Sequence, residues 1–411
     1  MTERLYYADP YCRSFDAQVT RVFEHDGRPA VALNRTAFYP TSGGQPFDTG
    51  RLGGSAIVDV VDLGNEIAHV LAAPQAFEIG ANVTGEIDWP RRFDHMQQHT
   101  GQHVLSAAFV RSGDAATVSF HMGAEDATID LAREAPAAEI ERAVDEANRV
   151  VWEDRAVSIR LVSAAEAETL PLRKEPAREG PLRLIDIADF DLSACGGAHV
   201  ARTGAIGLIA VLGADKFRGG TRVTFACGGR ALHALRMYRD AVAGSMRALS
   251  VVPSELPAAV ERVQNEARDL RKTIKGLQER LATHEAARLR SGGADVAGVR
   301  VVVSVLDGWD AAGLKTIAAE ITAGGPVGVV LVSSSSPVLV AAARSPGVSM
   351  DANALLKELI GRFGGRGGGK PDLAQGGGLT GAPDDVASAA RALIESSLLH
   401  GKFKPFDFPC N

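Results

Sequence analysis

No run of eighteen apolar residues occurs in this 411-residue chain, so nothing in it reads as a bilayer-spanning helix. Its opening, MTERLYYADPYCRSF, has no basic stretch followed by an apolar core, and an export signal is not expected. Cysteine is scarce: Cys12, Cys195, Cys227 and Cys410 lie far apart, which excludes a dense secreted disulfide framework. The expectation is a cytosolic protein with reduced thiols that remain free to bind metal. An excess of positive charge is also missing. The net charge of −6 argues against nonspecific coating of nucleic acid, while leaving room for a local basic surface that grips one RNA. There is no long tandem repeat. A G-x-x-x-x-G-K-[ST] phosphate loop is absent too, because Lys370 is followed by Pro371.

What is present is an ordinary globular composition, 45% hydrophobic and 23% charged, at a length that predicts two or three domains. Residues 1–90 alternate apolar and polar positions in short segments such as FDAQVTRVFEHDGRPAVALN, broken by the Gly- and Pro-rich loop RTAFYPTSGGQPFDTG. Many short strands with tight turns predict a small β-barrel. Residues 91–240 mix helix and strand: a helix over RRFDHMQQHTGQHVLSAAFV opening near Asp94 as N-cap, then strands, a second helix and more strands. This is an α+β domain. Residues 241–295 read as a helical linker. Within it Val260, Val263, Ala267, Leu270, Ile274, Leu277 and Leu281 recur at steps of three and four, the seam of a short coiled coil. Residues 296–411 alternate strands with helices and predict an α/β domain containing the glycine-dense segment GGRGGGKPDLAQGGG.

Chemistry concentrates in two places. HMQQHTGQH sets His95, His99 and His103 four apart, on one helical face. Farther on, DLSACGGAHVARTG offers Cys195 and His199 around two glycines that allow a tight turn. His99, His103, Cys195 and His199 together make a three-imidazole, one-thiolate set suited to zinc. The spacing alone serves equally well an ordinary packed or solvated pair of histidines.

HTGQHVLSAAF together with DFDLSACGGAHVARTGAIGLIAV resembles the editing domain of alanyl-tRNA synthetases and their freestanding AlaX-type relatives. LNRTAFYPTSGGQPFDTG is similar to the Gly-rich loop of the barrel that precedes that domain, and GGRGGGKPDLAQGGG to the signature of the DHH-associated domain that ends alanyl-tRNA synthetases. The motifs follow the family's order along nearly the whole chain. The resemblance implies an α+β multidomain protein: barrel, zinc-binding editing domain, helical linker and C-terminal DHH-associated domain. It implies His99, His103, Cys195 and His199 as zinc ligands. Only about 35 residues precede the Gly-rich loop, so an adenylation domain is not expected ahead of it. Asp94 and His95 are followed by Met96, so the D-H-H phosphoesterase motif is missing as well.

The implied activity is ATP-independent hydrolysis, in trans, of mischarged tRNA(Ala), the seryl form first and the glycyl form second. The alternatives are a noncatalytic tRNA-binding factor with a structural zinc, and a hydrolase of small free esters or amides. Thr100 and Gln102 are the candidates for groups acting at the ester. Thr41, Ser42, Gly43, Gly44 and Gln45 of the Gly-rich loop are candidates for bordering the substrate. His95 is expected on a solvated face or as a contact behind the metal. Ala198 stands where the family often has Thr. Ser119 is followed by Phe120 and His121 where synthetases carry a Ser-Gln pair, so the pocket is not a copy. For RNA, Lys216, Arg218 and Arg222 surround one glycine turn. Arg362, Arg366 and Lys370 surround the glycine-dense segment, whose backbone N–H groups can also meet anions. The apolar seam predicts either a homodimer, through helix 253–290 or the C-terminal domain, or a rigid spacer.

Overall fold

The computed structural model describes residues 1–173 and 181–400. The chain divides into two compact units, Met1–Ala248 and Leu249–Asn411. No helix among the described residues is long and apolar enough to cross a membrane.

The first unit begins with strands whose alternation sets an inside and an outside: Phe15, Ala17 and Val19 are buried, while Asp16, Gln18 and Thr20 are exposed. Ser14–His25 (β1), Arg28–Leu33 (β2), Gly50–Leu52 (β3), Ser55–Asp62 (β4), Ile67–Leu71 (β5) and Asn82–Ile87 (β6) close into a barrel in the order β1-β2-β5-β4-β3-β6. The Gly-rich loop runs between β2 and β3, at the barrel surface that meets the next element.

That element is a 25-residue helix, Trp89–Gly113 (α1). It starts earlier than the expected opening at Asp94. Pro90 belongs in a first turn, where no N–H is needed, and Asp88 caps the helix by accepting from the Arg91 N–H. Asp94 instead forms an ion pair with Arg230 at 2.7 Å. The helix is buried on most of its faces. A Cβ at Gly101 would lie 2.2 Å from Cys227 Sγ, so only glycine permits this approach of helix to sheet.

Around α1 stand Thr117–Met122 (β7), Ala127–Leu131 (β8), Ala137–Trp152 (α2), Val157–Val162 (β9), Leu182–Ile187 (β10), Asp191–Ala194 (β11), Ile209–Phe217 (β12) and Gly220–Cys227 (β13). They form two antiparallel sheets, β12-β13-β8-β7 and β9-β10-β11. Met96, Val104, Leu105 and Phe109 of α1 join Ile129, Val150 and Phe225 in one core. Helix Gly228–Leu249 (α3) follows.

The second unit carries a helix over Leu256–Ser291 (α4) and a six-stranded sheet. Its strands are Ala294–Val296 (β14), Val299–Leu306 (β15), Val327–Ser333 (β16), Val338–Arg344 (β17), Arg366–Gly369 (β18) and Leu373–Leu379 (β19), in the order β14-β15-β16-β17-β19-β18. Helices Ala311–Thr322 (α5), Ala352–Phe363 (α6) and Pro383–His400 (α7) cover it. The glycine-dense segment is the edge hairpin β18–β19. Ala282, Ala286 and Leu289 of α4 pack with Leu314, Ile317 and Ile321 of α5. The predicted seam lies on another face: Val260, Val263, Leu270, Ile274, Leu277 and Leu281 remain 43–62% exposed.

One ion pair joins the barrel loop to α1. Arg92 and Asp48 are both fully buried. Arg92 Nε donates to both Asp48 oxygens at 3.0 Å, Nη1 to Pro10 O at 2.8 Å, and Nη2 to Ala37 O and to Asp48. Asp48 Oδ2 also accepts from the Tyr39 N–H at 2.6 Å. Removing one partner strands a buried charge, a change that typically costs about 3–5 kcal/mol. Arg92→Met is therefore expected to lower unfolding free energy by about that amount in a urea titration, and Arg92→Met/Asp48→Leu by clearly less.

Candidate metal centre

His99 and His103 stand one turn apart on α1, and both are buried. The loop that follows β11 brings Cys195 and His199 to them. Arg183 on β10 shapes that loop: its Nη1 donates to Cys195 O at 2.7 Å and Gly197 O at 3.0 Å, and its Nε to Tyr7 O at 3.0 Å. A Cβ at Gly197 would fall 2.1 Å from His99 Cε1, so the chain passes over the imidazole only as glycine.

The ligand atoms of His99, His103, Cys195 and His199 all lie within 4.8 Å of one another. Cys195 Sγ is 3.4 Å from His99 Nε2 and 3.4 Å from His199 Nε2. That matches the N···S edge of about 3.5 Å that tetrahedral Zn–N and Zn–S bonds generate.

Each imidazole is held from behind by its other nitrogen. His99 Nδ1 donates to Gln45 Oε1 at 2.8 Å, His103 Nδ1 to Asp191 Oδ2 at 3.2 Å, and His199 Nδ1 to Thr100 Oγ1 at 3.2 Å. All three Nε2 atoms are thereby left facing inward, the tautomer a metal requires. The donor set fits a tetrahedral metal ion.

Charge favours the same outcome. Burial alone would raise the Cys195 thiol, but His99, His199 and His103 outweigh it and hold it well below the ordinary range, as a thiolate. Burial pushes His199 down to about 3, so it is neutral. His103 rises to about 9: burial opposes this, and the Asp191 carboxylate and Cys195 overcome it. Asp191 falls to about 2 against its own burial, through His103 and Arg173.

His99, His103 and Cys195 form one wall of an open cavity of about 350 Å³, with Gln102, Phe120 and Arg173 also lining it. The candidates from the Gly-rich loop divide. Gly43 lines the cavity, and Gly44 packs so closely on Phe120 that a Cβ would come within 2.8 Å. Gln45 turns inward, where its Oε1 accepts from His99 and from the Ala198 N–H at 3.1 Å. Thr41 Oγ1 accepts from the Phe47 N–H, and Ser42 exchanges backbone hydrogen bonds with Gln45, so both brace the loop.

Thr100 is fully buried, with its oxygen between His199 and the Val200 N–H, behind the ligands and away from the cavity. His95 is 2% exposed and pushed down to about 4 by burial, which corrects the expected solvated position. His121 is exposed on β7.

Among the basic candidates, Lys216 pairs with Glu134 at 3.0 Å, and Arg222 grips Asp130 at 2.7 Å while lying 3.6 Å over the Phe217 ring. Arg218, Arg362, Arg366 and Lys370 have no ion pair among the described residues. Asp191 and Arg173 were missed in the sequence. A signal existed for Asp191, since D-x-S-x-C alternation puts positions 191, 193 and 195 on one side of a strand. Arg173 carried none.

Family models match three stretches of the chain: tRNA synthetases class II (A) over residues 11–91, the threonyl and alanyl tRNA synthetase second additional domain over 182–223, and the DHHA1 domain over 298–396. The alanyl-tRNA editing protein AlaX-L of Pyrococcus horikoshii is 31% identical across 97% of this chain and 100% of its own length. The chain belongs to the alanyl-tRNA editing protein family. Alanine–tRNA ligases are similar as well: that of Pyrococcus abyssi is 34% identical over 91% of this chain, and that of Methanoculleus marisnigri 35% over 92%. The chain spans only 42% and 41% of the length of those two ligases.

The geometry makes metal affinity dependent on pH. His103 must lose a proton to become a ligand, and in the metal-free protein it holds that proton up to about pH 9. Zinc affinity, measured by competition with a chelator, is therefore expected to rise about tenfold per unit between pH 7 and 9 and then level off. Asp191→Asn removes the group that stabilises the imidazolium and flattens the rise.

Proposed function

We propose that this protein hydrolyses the aminoacyl ester of mischarged tRNA(Ala), the seryl form foremost and the glycyl form besides, at a zinc site made by His99, His103, Cys195 and His199. The observation that carries this reading is the convergence of three inward Nε2 atoms and one thiolate, with His99, His103 and Cys195 lining an open cavity, in a chain of the alanyl-tRNA editing family. The protein is an aminoacyl-tRNA deacylase, and its place of action is the cytoplasm. A purely structural zinc has no need of a path from solvent, which disfavours the binding-factor alternative.

Held by His99, His103, Cys195 and His199, zinc would supply positive charge beside the ester carbonyl. The chain's own residues do the positioning. Gln45, Asp191 and Thr100 keep the ligand rings aimed. Gln102 Nε2 donates to Ser106 Oγ at 2.9 Å, and that oxygen also accepts from the Thr117 hydroxyl at 2.7 Å. The Gln102 carbonyl oxygen is left as an acceptor for a seryl hydroxyl, which an alanyl group lacks. A site built to bond a hydroxyl discriminates strongly against the analogue without one. The cations Arg218, Arg362, Arg366 and Lys370, without an ion pair among the described residues, serve the RNA backbone.

The test is a deacylation time course on Ser-tRNA(Ala) with Ala-tRNA(Ala) in parallel. Serine is expected to be lost at least tenfold faster than alanine, and both chelator treatment and Cys195→Ala are expected to abolish the loss. No release above buffer, with zinc bound and tRNA affinity measurable, leaves a binding factor in its place.

A second copy of the chain is the proposed occupant of the α4 seam. In a parallel, in-register pair, Glu266 of one helix faces Arg271 of the other, and Arg280 faces Glu285. An antiparallel pairing centred on the same seam sets Arg271 against itself. Sedimentation is expected to show a dimer for the native chain and a folded monomer for Leu270→Glu/Leu277→Glu.

A further inference from the structure

Arg173 is a part of the cavity wall to which the reaction above gives no role. Its side chain is 14% exposed. Its backbone N–H donates to Leu192 O at 3.0 Å, fastening it to β11. Its Nε donates to Asp191 Oδ1 at 2.7 Å, and Nη2 reaches Oδ2 at 3.5 Å. The other terminal nitrogen, Nη1, has no partner among the described residues. Asp191 has no capacity to spare: it is 1% exposed and also accepts from His103 and from Ser193 Oγ at 2.9 Å. One edge of the guanidinium is thus pinned by a buried carboxylate, and the residue lines the cavity.

An arginine fixed in this way is pre-organised for an anionic oxygen. With a dication bound, Cys195 and Asp191 do not neutralise the local charge, and the wall stays net positive. A cationic α-amino group is repelled from it. The Asp191 carboxylate links the guanidinium to the His103 ring, so Arg173 meets the cavity beside the ligand atoms and not among them. The anion of an aminoacyl-tRNA nearest its ester is the phosphodiester on the 5′ side of the terminal nucleoside, one nucleotide unit away.

Resting on the deacylase reading, we propose that Arg173 is a substrate-binding residue that holds this terminal phosphate and so sets the 3′ nucleoside in the cavity.

Binding of adenosine 5′-monophosphate and of adenosine to the zinc-loaded full chain, by calorimetry, tests this without relying on turnover. The native protein is expected to bind the monophosphate at least fivefold more tightly than adenosine. Arg173→Gln is expected to lose that preference with adenosine affinity unchanged, and Arg173→Lys to keep part of it. Zinc content and thermal unfolding verify that both variants are loaded and folded. Equal binding of the two ligands by the native protein overturns the proposal, as does a preference that survives in Arg173→Gln. Loss of both ligands in both variants also overturns it, because Arg173 then acts only by holding Asp191 against His103. Failure of the deacylase reading shows separately, as intact Ser-tRNA(Ala) in the time course.

Discussion

The ion pair between Arg92 and Asp48 is the constraint from which the placement of the His/Cys cluster follows. Arg92, His99 and His103 are seven and four residues apart, so they share one face of α1. Fixing the rotation of the helix at Arg92 therefore fixes the direction of both histidines. The same pair anchors the barrel loop, because Asp48 also holds the Tyr39 N–H, and that loop delivers Gln45 to the back of His99. A buried charge pair is a poor source of net stability. Its contribution here is geometric: the pairing is satisfied at one helix rotation and one loop position.

The rings are then braced from three different quarters. Gln45 comes from the barrel loop, Asp191 from a sheet strand, and Thr100 from α1 itself, crossing to the ligand on the far loop. The three imidazoles are thus coupled to three packing interfaces. Disturbing any of these frees an imidazole to rotate and lets Nδ1 and Nε2 exchange roles. Gly101 and Gly197 mark the two places where this closeness leaves no room for a methyl group.

Much of this was legible in the sequence, and for identifiable reasons. The barrel declared itself through period-two alternation, and the four residues that the structure brings together stand in the H-x-x-x-H and C-G-G-x-H segments that carry the family resemblance. The start of α1 was misplaced because Asp94 looks like a cap in isolation, whereas Asp88 has Pro90 beside it and Arg230 has already claimed Asp94. The bracing residues were harder. A sequence does not say which way a side chain turns: the structure turns Gln45 toward His99 and Thr100 toward His199. The basic turn at 216–222 illustrates the same limit: Glu134 and Asp130, which occupy Lys216 and Arg222, lie 82 and 92 residues away along the chain. The α4 seam was legible as a pattern, while what covers it is not written in the same chain's fold.

The distance along the chain between the two halves of the ligand set has a consequence for biosynthesis. Cys195 lies 96 residues beyond His99. At usual rates of synthesis the helix histidines emerge about 5–20 s before the thiolate that completes their set. Everything needed to seat α1 on the barrel, from Asp48 to Arg92, has been made by then. The nascent protein can pair Asp48 with Arg92 before Cys195 and His199 exist, so the complete donor set appears only after its first half has been positioned.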